Sequence, residues 1–179
     1  MGILLTIAVV IGLIIALALV VALFVKKDYT VVRDIIINRN KQEVFDYIRL
    51  LKNQDNYSKW GSLDPNMKKE YRGMDGTEGF ISLWEGNNKV GKGEQKIVKI
   101  TEGERIDYAL HFIKPFEGLA DSHLATTAVS PDQTKVSWGM SSSMKYPMNL
   151  MLVFMNMEKL IGNDFSTGLS NLKQLLESR

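Results

Sequence analysis

From Ile3 to Val25 the chain carries no charged side chain, and only Thr6 and Gly12 relieve an otherwise unbroken apolar run. A helix rising ~1.5 Å per residue would stretch this run over about 34 Å, enough to cross a hydrocarbon core of ~30 Å. The run stops at Lys26-Lys27-Asp28, and the patterning of a folded domain begins there. Tyr29–Ile37 is rich in β-branched residues and predicts a strand. Asn40-Lys41-Gln42-Glu43 has the form of a capping box, with Asn40 as N-cap and Glu43 reaching back to its amide. The helix it opens places Val44, Phe45, Ile48 and Leu51 on one face, with Tyr47 beside them. Asn53–Trp60 predicts a second short helix, stopped by Gly61, and Leu63-Asp64-Pro65 a loop.

The texture then changes to strands and turns. Met67–Tyr71, Gly79–Glu85, Val90–Ile100, Arg105–Phe112, Leu119–Val129 and Lys135–Met144 read as extended, separated by Gly-, Asn-, Asp- and Pro-bearing turns. Alternation is clearest at Ile106, Tyr108, Leu110 and Phe112, and at Val136, Trp138 and Met140, where one face is apolar. Successive strands with short turns imply an antiparallel meander. Near the C-terminus Leu150, Val153, Phe154, Met157, Leu160 and Ile161 recur at helical spacing, and Phe165, Leu169, Leu172 and Leu176 continue the face. Gly162-Asn163-Asp164 interrupts it, predicting a kink or two helices with Asn163 or Asp164 capping the second. The sheet's apolar face needs an amphipathic helix to cover it, so the fold class is α+β: a curved antiparallel sheet of about seven strands around a long C-terminal helix, preceded by one transmembrane helix.

The domain organisation is then residues 1–27, a membrane anchor, and residues 28–179, about 150 residues that suffice for one domain with a core. A cleaved signal peptide would want a positive n-region and an apolar stretch of roughly 7–15 residues. Here only the α-amino charge precedes a longer run, although Ala16-Leu17-Ala18 has the small-residue look of a cleavage site. A lipoprotein anchor would need a cysteine, and the chain has none. Met1-Gly2-Ile3-Leu4-Leu5-Thr6 matches the myristoylation pattern, which adds little to a segment that already spans. Lys26, Lys27 and Arg33 lie just beyond the span, so the positive-inside rule puts the domain in the cytoplasm of a single-pass protein of the cell membrane. With 22 basic and 20 acidic residues and no dense basic stripe, the composition does not suggest a nucleic-acid partner.

Several motifs carry a likeness. Asp64-Pro65-x-Met67-Lys68 and Tyr71-x-Gly73-x-Asp75-Gly76-Thr77 are followed by Trp84-Glu85-Gly86-Asn87 and Val90-Gly91-x-Gly93-Glu94. Then come Arg105-Ile106-x-Tyr108, Lys114-Pro115-Phe116 and Gly162-x-Asp164-Phe165-x-x-Gly168-Leu169-x-x-Leu172-Lys173. In this order they resemble the START-like or Bet v 1-like (SRPBCC) superfamily, within it the bacterial polyketide cyclase/dehydrase-type branch, over nearly all of residues 29–177. The resemblance implies a helix-grip fold with a deep cavity between sheet and C-terminal helix. Members bind lipids, sterols, polyketides and other apolar ligands, and only some are enzymes, so the likeness speaks for fold rather than activity.

The residues agree on what would line such a cavity: Trp138 and Met140 on one strand face, and Tyr108, Leu110 and Phe112 on another. Trp84 joins them from the third strand, Trp60 from the entrance helix with Tyr57, and Met151 and Met155, with Met148 and Met157, from the closing helix. Methionines suit a pocket that accepts varied apolar shapes. The same residue types at these spacings also make a plain core.

No catalytic motif emerges. His111 and His123 lie on neighbouring strands, but two ligands without a third make no zinc site, and His111 alternates away from the Tyr108 face. Gly91-Lys92-Gly93 lacks the helix of a phosphate loop, and Ser141-Ser142-Ser143 lacks a nucleophile elbow. Glu85 is the best polar candidate at a cavity mouth. No cofactor is expected. The leading reading is a membrane-anchored binding module for an apolar small molecule or lipid. The alternatives are an enzyme of the cyclase type, using Glu85 or His111, and a non-catalytic interaction or stress-response module with a collapsed cavity.

Overall fold

The computed structural model describes residues 2–178. The apolar run forms helix α1 (Ile3–Phe24). Three residues later the chain enters β1 (Asp28–Ile37), then α2 (Lys41–Arg49) and two 3-10 turns, Leu51–Asn56 and Lys59–Ser62. The meander comprises β2 (Lys68–Arg72), β3 (Ile81–Glu85), β4 (Lys92–Thr101), β5 (Arg105–Lys114), β6 (Gly118–Ser130) and β7 (Gln133–Ser143). A 3-10 turn (Met148–Leu150), the short α3 (Met151–Phe154) and the long α4 (Met157–Glu177) close the chain. The strands form one antiparallel sheet in the order β1-β7-β6-β5-β4-β3-β2. The first strand thus pairs with the last, Asp28 opposite Ser143.

Local chemistry explains the early helices. Asn40 caps α2 as expected, its Oδ1 accepting from the Glu43 amide at 2.9 Å. The return contact goes to the Asn40 side-chain amide, 3.3 Å from Glu43 Oε2. The single helix expected over Asn53–Trp60 is instead the pair of 3-10 turns. Asp75 is the reason: its carboxylate accepts from the amides of Leu51 at 2.8 Å and Lys52 at 3.1 Å, capping a tight turn before an α-helix can begin.

The C-terminal helix also departs from expectation. It runs through Gly162 as one helix, and the break falls earlier, at Met155-Asn156. Asn156 is the N-cap, accepting from the Lys159 amide at 2.8 Å. Gly162 has a different use: a Cβ there would lie 2.0 Å from the Arg33 guanidinium. Its absence lets Arg33 cross α4 and donate to the Glu158 carboxylate at 2.6 Å and the Glu158 carbonyl at 3.0 Å. From Ile161 the face Phe165, Leu169, Leu172 and Leu176 is buried against the sheet. Leu160, Val153 and Phe154, assigned to the same face by spacing, are exposed.

The core lies between sheet and helices, built from Val31, Ile37, Ile97, Ile106, Leu124 and Val136 on the strands, Val44, Phe45 and Ile48 on α2, and the buried face of α4. Burying such side chains stabilises by ~1.5–3 kcal/mol each.

Candidate functional site

Trp138 of β7 sits at the middle of the grip. Its ring stacks on Phe165 of α4 with centroids 4.7 Å apart and planes inclined by 15°. Tyr57 meets it edge-on at 5.8 Å and Trp60 at 6.3 Å, while Trp60 also contacts Phe165 at 5.8 Å. Gly168, one turn beyond Phe165, makes the indole's seat: a Cβ there would lie 2.8 Å from Trp138 Cζ3. An ion pair between Lys59 and Asp164 fastens the 3-10 turn carrying Trp60 onto α4. The terminal motif Gly162-x-Asp164-Phe165-x-x-Gly168 is therefore a docking device for α4: Gly162 admits Arg33, Asp164 pairs with Lys59, and Phe165 and Gly168 together seat Trp138.

The expected lining residues fall into separate groups. Trp60 and Trp138 come together in the ring cluster, and Tyr108 and Met140 are buried in the same core. Trp84 pairs edge-on with Phe112 at 6.1 Å, with Leu110 half-buried on the same strand as Phe112. Met151 and Met155 are half-buried on the segment leading into α4. The Tyr108 hydroxyl, fully buried, meets no hydrogen-bonding group of the described residues. Burial first, then the negative charges of Asp75 and Asp107, push its ionisation well above the ordinary tyrosine range. Tyr57 is pushed up too, by burial and then by Tyr108 and Tyr47.

An open crevice of about 520 Å³ lies at the end of the grip nearest α1. Val25, Lys26 and the first residues of β1 (Asp28 to Val31) form one wall, and Leu152 to Glu158 the other. Of the expected lining residues it takes Met155 and Met157. Sequence reasoning missed Val25, Val31, Leu152 and Phe154 as wall residues. A signal was present: Met151-Leu152-Val153-Phe154-Met155 are five consecutive apolar residues, too many for one face of a helix.

The polar candidates are on the surface. Glu85 accepts from Lys92 at 2.8 Å, and this hydrogen bond holds its carboxyl below the ordinary range. It borders a polar notch of about 430 Å³ with Asn87, Asn88, Lys114 and Pro115. Asp64 accepts from the Asn87 amide at 2.7 Å, so the Asp64-Pro65 and Trp84-Glu85-Gly86-Asn87 motifs tie two loops together. His111 lies 3.4 Å from Glu117. His123, half-buried against Gly139, is held below its ordinary pKa by burial and then by Arg105. Among the described residues no three His, Asp or Glu side chains converge as metal ligands would.

No protein-family model matches the chain, and no curated protein matches it in sequence. Solved structures do match in shape. Norcoclaurine synthase from Thalictrum flavum, in complex with dopamine and hydroxybenzaldehyde, superposes with a TM-score of 0.64 at 8% identity, over 89% of this chain and 92% of that one. The di-domain ARO/CYC StfQ from the steffimycin biosynthetic pathway gives 0.62 at 10% identity, over 86% of this chain and 52% of that one. A structural-genomics protein from Nitrosospira multiformis gives 0.56 at 20% identity, over 82% and 94%. At these identities the likeness is one of fold: a seven-stranded antiparallel sheet gripping a long C-terminal helix, the helix-grip, Bet v 1-like fold.

Proposed function

We propose that the chain is a membrane-anchored binding module that takes up an apolar small molecule or lipid at the membrane-facing end of its sheet–helix grip. The observation that carries this reading is the position of the crevice, which is walled by Val25 at the end of α1 and by Leu152, Phe154 and Met155. Its volume of about 520 Å³ falls within the ~300–1,000 Å³ usual for small-molecule sites, as does the notch at Glu85. Only the crevice has a run of apolar wall residues beside α1. Methionine and leucine side chains on one wall suit ligands of varied shape. α1, at 22 residues, is long and apolar enough to cross a bilayer. With α1 in the bilayer, Lys26 and Lys27 favour the cytoplasmic side for the domain. Tethering holds the crevice at high effective concentration of membrane-dissolved ligand, so tight affinity is not needed.

The test is native mass spectrometry of the full chain extracted from its membrane in mild detergent, followed by organic extraction. A discrete apolar mass bound to the protein is expected. A bare protein mass, even after incubation with membrane lipid extract, would contradict the reading.

The Trp138–Phe165 stack favours a second reading. It fills the middle of the grip with the protein's own rings, which suits a non-catalytic interaction module whose interior is closed. That module would leave the lipid extract unbound and show its partners on surface loops.

A further inference from the structure

Helix α1 is joined to the domain rather than strung from it. Only Val25, Lys26 and Lys27 separate it from β1. Asn149, fully buried, donates its side-chain amide to the carbonyls of Ala22 at 2.7 Å and Val25 at 3.0 Å. These belong to the carbonyls a helix end leaves without partners. On the other side of the joint the Met144 amide donates to the Lys27 carbonyl at 2.8 Å. The end of α1, the start of β1 and residues 144–149 thus form one unit, and the segment after Asn149 is held at the level of the helix end.

Side chains on either side of Asn149 are apolar and unusually exposed. Phe154 is 82% exposed and Val153 58%, with Met148 and Tyr146 each at 43%. Val153 and Phe154 share the crevice wall with residues adjoining Val25. Lys26 lines the same crevice, with Asp28 and Glu158, and the exposed Lys27 and Lys145 adjoin the joint in sequence. Exposed apolar side chains beside the base of a membrane span, with lysines at the joint, are the composition of a surface lying in the headgroup and upper acyl layer.

We propose that Tyr146–Phe154 is a second membrane contact, inserting Val153 and Phe154 into the bilayer beside α1 while the lysines sit among anionic headgroups. The inference rests on the reading of α1 as a span and deepens it. Continuity with α1 identifies the bilayer as the occupant: a surface fixed at the helix end has lipid for its neighbour. The domain then lies on the membrane in one attitude, and its crevice opens into the headgroup layer without an intervening water gap.

The chain has no cysteine, so single-cysteine labelling is clean. The full-length variants Leu13→Cys, Phe154→Cys and Met74→Cys would carry a nitroxide in vesicles of phosphatidylcholine and phosphatidylglycerol. Met74, exposed in the turn after β2 at the opposite edge of the sheet, is the aqueous control. Labels at 13 and 154 should be several-fold more accessible to oxygen than to a water-soluble nickel complex, with the order reversed at 74. A label at 154 that behaves like 74 while 13 remains in lipid would overturn the second contact and leave the span standing. All three labels in water would overturn the span and the second contact together.

Discussion

The side-chain amide of Asn149 reaches across 127 positions of sequence to the Ala22 carbonyl at 2.7 Å, clamping the end of the N-terminal helix to the last turn before α3. Asn149 and Ala22 are both fully buried, so water does not replace this bond when it is lost. Removing a partner from a buried polar group costs ~1–3 kcal/mol.

Asn149→Leu strips the Ala22 and Val25 carbonyls of their donor but also removes the Asn149 Oδ1, a buried acceptor that meets no donor among the described residues. Stability should therefore fall by about 1 kcal/mol, the lower end of that range, or a few degrees at ~2–4 °C per kcal/mol. Thermal unfolding of the full chain in lipid nanodiscs checks this. An unchanged midpoint would mean that the joint is not held by Asn149.

The ring cluster gives a second comparison. Trp138→Ala removes a stacked, buried indole and should cost about 3–5 kcal/mol. Tyr108→Phe removes a buried hydroxyl that has no partner among the described residues. It should be neutral or stabilising by up to about 1 kcal/mol, because no hydrogen bond is lost and a desolvated polar group is removed. Urea unfolding of both variants measures the contrast, and a loss near that of Trp138→Ala in Tyr108→Phe would show that the hydroxyl is engaged.

Alkaline pH should destabilise the fold through its tyrosines. Tyr71 is pushed up to about 12 by burial and by the Asp55 carboxylate, which its hydroxyl meets at 3.0 Å. Tyr57 and Tyr108 are pushed well above the ordinary value of 10.0, in both cases chiefly by burial. A folded state that holds these protons more tightly than the unfolded chain gains stability that is complete below pH 10 and lost as pH rises above it. Unfolding free energy measured across this range should fall. Phenolate absorbance should show Tyr57 and Tyr108 ionising only as the protein unfolds.

Within the crevice, Met155→Asp should abolish retention of a bound apolar molecule with little loss of stability, because Met155 is only half-buried. Native mass spectrometry beside a melting curve separates the two effects. Full ligand retention in a folded Met155→Asp protein would move the binding site elsewhere.

Much of the fold was legible because its signals are local and strong. The alternation at Ile106-x-Tyr108 and Val136-x-Trp138 identified the inward face, and each of those four residues is buried. Asn40 was readable as a cap because the bond it makes spans three residues. Long-range partners were not readable. Gly162 looked like an interruption because nothing nearby in sequence announces that Arg33 passes over it. Asp75 looked like a turn residue, yet it caps a 3-10 turn that begins 24 positions earlier. Asn149 sits in an apolar stretch with no local sign that its partner is the N-terminal helix. The exposed Val153 and Phe154 matched a helical period that the break at Asn156 cuts short.

The most direct measurement is photolabelling of the full chain in vesicles with a lipid carrying a diazirine on its acyl chain, with the adducts then mapped along the sequence. A crevice that takes up lipid gives adducts on Tyr29–Val31 and Met155–Glu158, wall residues beyond the second membrane contact, in addition to those on α1. Adducts confined to α1, Val153 and Phe154, with those wall residues unmodified, would contradict the assignment.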